Sequence, residues 1–335
     1  MLSTMMLLVC FATGVQETSA QLIPFDLSSG NPDSYLSSIG QIESNGNLLF
    51  VRSPRHTSIY IFNKNGVYVG RIGDQGQHPS EFGHTGVLAL ALNGQDIWAI
   101  DMTRVGVRHF QNGVYKRFFR LKSYNVHFTI PTSNVFAFSE NKVVVPTHPS
   151  TGSLASVYNY NGENIGKAGE LMPFGEDLTS KVRGINDTFW LKAGNYWYSI
   201  HKFYPLVTTY DDEFKIVNQF EVESQLISQR VDNILNFQFT ERNNVPASVF
   251  SDVKIHQGDL FAMSNGGLHR IDLKSGQVKS IMTFYGKGLN FKKVEGKPLK
   301  LAFFAFLGNK LILGHPAMLW NHDLWYVPWN DPPKS

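Results

Sequence analysis

The stretch NGQDIWAIDMTRVGVRHFQNGVYKRFF, Asn93 to Phe119, holds three apolar strands separated by a short polar loop and a tight turn. Asn93-Gly94 and Asn112-Gly113 tolerate the positive φ of a two-residue reversal, so the flanking strands fold back as antiparallel hairpins. The same arrangement recurs six times, at intervals of about fifty residues. The opening turns are Asn45-Gly46 before LLFVR, Asn93-Gly94 before IWAID and Glu140-Asn141 before KVVVP. Next come Asn186-Asp187 before TFWLK, Gln257-Gly258 before DLFAM and Gly308-Asn309 before KLILG. A second turn closes each copy, at Gly66, Gly113, Gly162, Glu213 and Gly276, with a weaker sixth at Trp320 to Asp323.

Self-similarity at a fixed period marks repeat architectures, in which each unit hides its apolar face against its neighbours. Four antiparallel strands per unit, repeated radially, make an all-β six-bladed β-propeller. One interval departs from the rhythm. Between the fourth and fifth copies the spacing stretches across Glu221 to Ser248, where Leu226, Ile227, Val231, Ile234 and Leu235 recur at helical spacing. A short helical insertion between blades 4 and 5 is expected there, ended by Asn243-Asn244-Val245-Pro246.

The segment from Ile61 to Asp101 resembles the NHL-type repeat of six-bladed propellers, and is similar to secreted bacterial proteins of that architecture. The match runs through Gly66, Gly73, Gly76, Pro79, Glu81, Phe82 and Asp101. Repeats of this family often place an Arg shortly after the Asp; here Arg104 and Arg108 flank that place, which Gly106 holds. The resemblance implies the fold and says little about activity, because the architecture serves binding modules, lyases and lactonases alike.

The N-terminus reads as a secretory leader over residues 1–20. Met5 to Phe11 form an apolar core, and Thr18-Ser19-Ala20 supplies small residues before a cut ahead of Gln21, although the usual positive start is missing. The propeller domain is then 21–335, in the periplasm or outside the cell. Cys10 is the single cysteine, so a chain starting at Gln21 would carry neither a disulfide nor thiol chemistry. Val9 stands before Cys10 where lipid attachment needs a small residue. No later segment is long and apolar enough to span a membrane as a helix. Basic residues exceed acidic ones by only three and form no run, which argues against nucleic acid as a partner.

Functional candidates follow from the propeller's top face, which carries the loops between blades and between second and third strands. His56, His148, His201 and His315 fall in such loops, with Arg55 beside the first. Three of these loops look alike: Ser53-Pro54-Arg55-His56, Pro146-Thr147-His148-Pro149 and Leu313-Gly314-His315-Pro316. Either they surround one opening or they reflect repeat ancestry. The fourth blade appears in the sequence with a long aromatic loop, in which Tyr196 and Trp197 are the leading recognition candidates. Arg104, beside Asp101, reads as an anion contact or as a lock on its own loop.

Calcium-dependent lactonases of this architecture hold their metal through converging Glu, Asn and Asp oxygens. Only Glu81, Asn134 and Asp252 fall near the channel entrances, in no pattern matching that family, so they are weak metal candidates and no cofactor is expected; calcium is the ion the alternative would take. No G-x-S-x-G elbow singles out a serine. Asn186-Asp187-Thr188 forms a glycosylation sequon but reads as a turn. The reading that results is a secreted recognition module offering its top face to a protein, peptide or glycan. The alternative is a metal-dependent, lactonase-like hydrolase or lyase acting at the channel mouth.

Overall fold

The strand Asp96–Asp101, DIWAID, is buried along nearly its whole length, whereas Val114–Arg120, VYKRFFR, is mostly exposed and buries only Phe119. That difference reports the position of each strand in its blade. An inner strand is covered on both faces by neighbouring blades and can be continuously apolar, while an outer strand is partly bathed in water. A computed structural model shows this gradient around the ring. It describes residues 15–25, 27, 39–53, 56–84, 86–122, 136–147, 149–174, 184–236, 248–264, 267–285, 301–314 and 324–329.

Two N-terminal strands, β1 (Gln16–Gln21) and β2 (Ile23–Pro24), precede the blades. The first blade comprises β3 (Gln41–Ser44), β4 (Leu48–Arg52), β5 (Ile59–Asn63) and β6 (Tyr68–Ile72). The second comprises β7 (Val87–Asn93), β8 (Asp96–Asp101), β9 (Gly106–Gln111) and β10 (Val114–Arg120). The third comprises β11 (Ala137–Phe138), β12 (Lys142–Pro146), β13 (Ala155–Asn159) and β14 (Asn164–Ala168). The fourth comprises β15 (Thr188–Ala193), β16 (Tyr196–His201), β17 (Leu206–Tyr210) and β18 (Ile216–Glu221). The fifth comprises β19 (Asp252–His256), β20 (Asp259–Ser264), β21 (Gly267–Asp272) and β22 (Val278–Tyr285). The sixth contributes β23 (Phe303–Leu307), β24 (Lys310–Gly314) and β25 (Leu324–Pro328).

Apolar clusters fill the interfaces between consecutive blades, including the one where the last blade meets the first. There Phe303, Ala305 and Ile312 pack against Ile42, Leu49 and Val51. The ring closes by strand exchange. β2 pairs antiparallel with β25, placing Ile23 opposite Tyr326, and so supplies the outer strand of the sixth blade. Leu22 and Phe25 anchor it, both buried. The segment after Gln21 thus closes the ring, and Leu324–Pro328 is the third strand rather than the outermost. β1 runs parallel to β22 and adds a fifth strand to the fifth blade.

The fourth blade corrects the sequence register. Thr188–Ala193 is its innermost strand, not its second, and the first hairpin turns at Gly194-Asn195. Asn186 sits before that strand with its side chain buried, its Oδ1 accepting the Met172 amide at 2.8 Å. The expected helix is present as α1 (Gln225–Leu235), between β18 and β19. Ser224 caps it by accepting the Ile227 amide at 3.2 Å. Ile227 and Ile234, two turns apart and so on one face of the helix, pack into the interface of blades 4 and 5. The helix ends at Asn236, earlier than the anticipated stop, whose residues 243–246 lie outside the described residues.

Candidate functional site

β3 and β19 are innermost strands that carry charge. Their side chains alternate, so Gln41 and Glu43 share one side of β3, as Asp252 and Lys254 share one side of β19. These four residues meet in the channel. Lys254 Nζ donates to Glu43 Oε1 at 2.8 Å and lies 3.5 Å from Asp252 Oδ2 and 3.4 Å from the Ile42 carbonyl. Gln41 Nε2 donates to Glu43 Oε1 at 3.0 Å and to the Leu90 carbonyl at 2.6 Å, while its Oε1 accepts the Leu90 amide. Asp252 accepts the Val253 and Phe304 amides. One network thus ties blades 1, 2, 5 and 6 together.

All four side chains are buried. Burial opposes the charge on Lys254, but the carboxylates of Asp252 and Glu43 together outweigh it and hold the ammonium above its ordinary range. Burial pushes the Glu43 carboxyl up, with Lys254 acting against it.

Glu43 and Lys254 of this network line the floor of a cavity of about 360 Å³. Its walls come from all six blades, through the C-terminal ends of the innermost strands and the turns that follow them. It therefore opens on the hairpin face of the propeller, opposite the top face. Asn45 and Asn93 belong to the turns at its mouth. Phe138 and Phe306 provide apolar wall, and His256 stacks on Phe306 with centroids 4.0 Å apart. Lys192 is held at the rim by Asp212 Oδ1 at 2.8 Å.

The residues anticipated from sequence are distributed differently. Arg55, Asn134, His148 and His315 lie outside the described residues. His56 is in the β4–β5 loop, its Nδ1 3.0 Å from Tyr60 Oη. Tyr196 and Trp197 belong to β16, immediately after the hairpin turn, and so sit towards the hairpin face instead of in a top-face loop. Tyr196 is exposed, but Trp197 is fully buried, with Nε1 donating to Asp212 Oδ1 at 3.0 Å. His201 ends β16 at the top and is also buried, which pushes its imidazole down to about 4.

Arg104 locks its own surroundings. Its guanidinium donates to the carbonyls of Gly76 and His78, at 2.6 and 3.3 Å. Asp101 instead pairs with Arg108, whose Nε and Nη2 reach Oδ2 at 3.2 and 3.0 Å with both side chains buried. Glu81 sits in the β6–β7 connection, accepting the His78 amide at 2.8 Å. Among the anticipated residues that are described, Asp252 alone joins the channel network. Among the described residues, no three His, Cys, Asp or Glu side chains come together as a metal site. No described helix is long and apolar enough to cross a membrane.

The geometry has a family context. A profile described as "DUF5128: 6-bladed beta-propeller" matches residues 31–257. The chain belongs to this family. Among solved structures, it is similar to a Bacteroides fragilis protein described as a "Putative exported protein", at 14% identity and a TM-score of 0.52, covering 89% of this chain and 88% of that one. It is also similar to a streptogramin B lyase, at 10% identity and a TM-score of 0.50, covering 92% and 97%. Likeness at such identities concerns the fold alone. No curated protein sequence matches the chain.

Proposed function

We propose that the protein is an exported recognition module that takes its ligand into the channel cavity on the hairpin face. The observation behind this reading is a concave site of about 360 Å³ to which every blade contributes. Its size lies within the range of small-molecule pockets, and its lining joins aromatic wall to a few convergent polar groups. The occupant is a small molecule, or the end of a peptide or glycan chain. Export is part of the proposal, supported by the apolar run Met5 to Phe11 and the small residues before Gln21. So is NHL-type kinship of the first two blades, for which the buried Asp101–Arg108 pair beside Phe82 is the structural support.

A fragment library screened by ligand-observed NMR tests the site. Asn93→Trp, an exposed change at the mouth, narrows the entrance without touching the core. Hits that bind the native protein and are lost in Asn93→Trp are expected. Hits that bind both proteins equally would overturn the channel reading and turn attention to the top face.

A further inference from the structure

The bonds inside the channel are unevenly shared. Lys254 has three acceptors within reach, so its three protons are committed. Both donors to Glu43, from Gln41 and Lys254, go to Oε1; Oε2 receives neither. Two carboxyls face one ammonium, so the floor carries one unit of negative charge when both are ionised, a state that burial of Glu43 opposes and a bound cation favours. At the rim, Lys192 is neutralised by Asp212 and does not compensate for it. The floor thus presents an acceptor and a negative charge at the end of a cavity.

At the mouth the walls present the side-chain amide of Asn93, which is exposed. Phe138 and Phe306 offer apolar faces to a carbon skeleton.

We infer that the cavity binds a hydroxyl-bearing primary amine of about the size of an amino sugar, with its ammonium on Glu43 Oε2 and its hydroxyls at the Asn93 amide on the mouth. This rests on the cavity being the binding site. The ammonium makes a charge-assisted hydrogen bond to the oxygen that neither Gln41 nor Lys254 uses. The hydroxyls reach the Asn93 side-chain amide, whose oxygen accepts and whose nitrogen donates. An anion of the same size meets the negative floor, and a neutral sugar forgoes the ion pair.

Three pyranoses of opposite or no charge test the inference by calorimetry on the native full chain: glucosamine, glucose and glucuronate. Glucosamine should bind about tenfold or more tighter than glucose, as a hydrogen bond to a charged group implies, and glucuronate weakest. Glu43→Gln should abolish the preference for glucosamine. Its thermal unfolding is followed in parallel, and the native charge series decides by itself if the variant fails to fold. Equal binding of glucosamine and glucose, tighter binding of glucuronate, or no binding of glucosamine at millimolar concentration would overturn the inferred class. Asn93→Trp separates the two levels. A sugar that binds without charge preference but is lost in Asn93→Trp sinks the class and spares the cavity; binding that survives Asn93→Trp sinks the cavity.

Discussion

Lys254 Nζ, on the fifth blade, lies 2.8 Å from Glu43 Oε1, on the first, so this ion pair passes over the sixth blade's share of the channel. Breaking a buried pair from one side leaves an uncompensated charge. Lys254→Met should therefore destabilise the protein by about 3–5 kcal/mol, because Glu43 and Asp252 lose their shared cation. Urea unfolding measures it. The double variant Lys254→Met with Glu43→Gln should recover part of that loss, and equal stability of single and double variants would show that the pair is not coupled.

Gly113 and Gly162 hold the same place in the outer hairpins of neighbouring blades, at φ 77° and 75°. A Cβ at Gly113 meets nothing, whereas one at Gly162 would strike the backbone carbonyl of Arg120. Gly113→Ala should cost only the left-handed penalty, about 1–2 kcal/mol. Gly162→Ala should cost more, since Arg120 must move and the Lys122 amide bond to the Gly162 carbonyl moves with it. Comparing the two by urea unfolding isolates the steric part.

His201 and His269 are both held down to about 4 by burial, from an ordinary 6.5. Between these values the unfolded chain takes up protons that the folded chain refuses. Stability is fully present above pH 6.5 and falls as pH drops, by about 2 kcal/mol for each imidazole at pH 5. The double variant His201→Gln, His269→Gln should show a flatter dependence between pH 7 and 5, followed by urea midpoint. Parallel profiles would contradict the burial of these rings.

β1 is exposed along most of its length, while Leu22 and Phe25 around β2 are buried. A chain starting at Gln21 should melt close to the full chain. One starting at 26 should lose about 3–6 kcal/mol from two buried side chains, and the outer strand of the sixth blade with them. Calorimetric melting of the two truncations decides it. N-terminal sequencing of the protein from its native host shows whether the chain is cut ahead of Gln21.

Much of the fold was legible because each hairpin turn is local: Asn45-Gly46 or Asn93-Gly94 announces itself in two residues. The fourth blade was misread by one strand because Asn186-Asp187 imitates such a turn, while the real one, Gly194-Asn195, precedes a run of aromatics that resembles a loop. That slip carried Tyr196 and Trp197 to the wrong face. The channel network was harder to see. Glu43 and Lys254 are 211 positions apart, and only ring closure brings them together. Their signal was present as alternating polar residues in QIES and DVKIH, two innermost strands where apolar residues would otherwise suffice.

The pairing of β2 with β25 also imposes an order on biosynthesis. β2 emerges from the ribosome about three hundred residues ahead of its partner at 324–328. Until then the first blade lacks its neighbour from the sixth, and the apolar surface around Ile42, Leu49 and Val51 waits for Phe303, Ala305 and Ile312. Blades formed in sequence can stack as they appear, but the seam between first and sixth waits for the sixth. A stall or stop shortly before Leu324 would release a chain with its ring still open, the form most exposed to holdase chaperones and to aggregation.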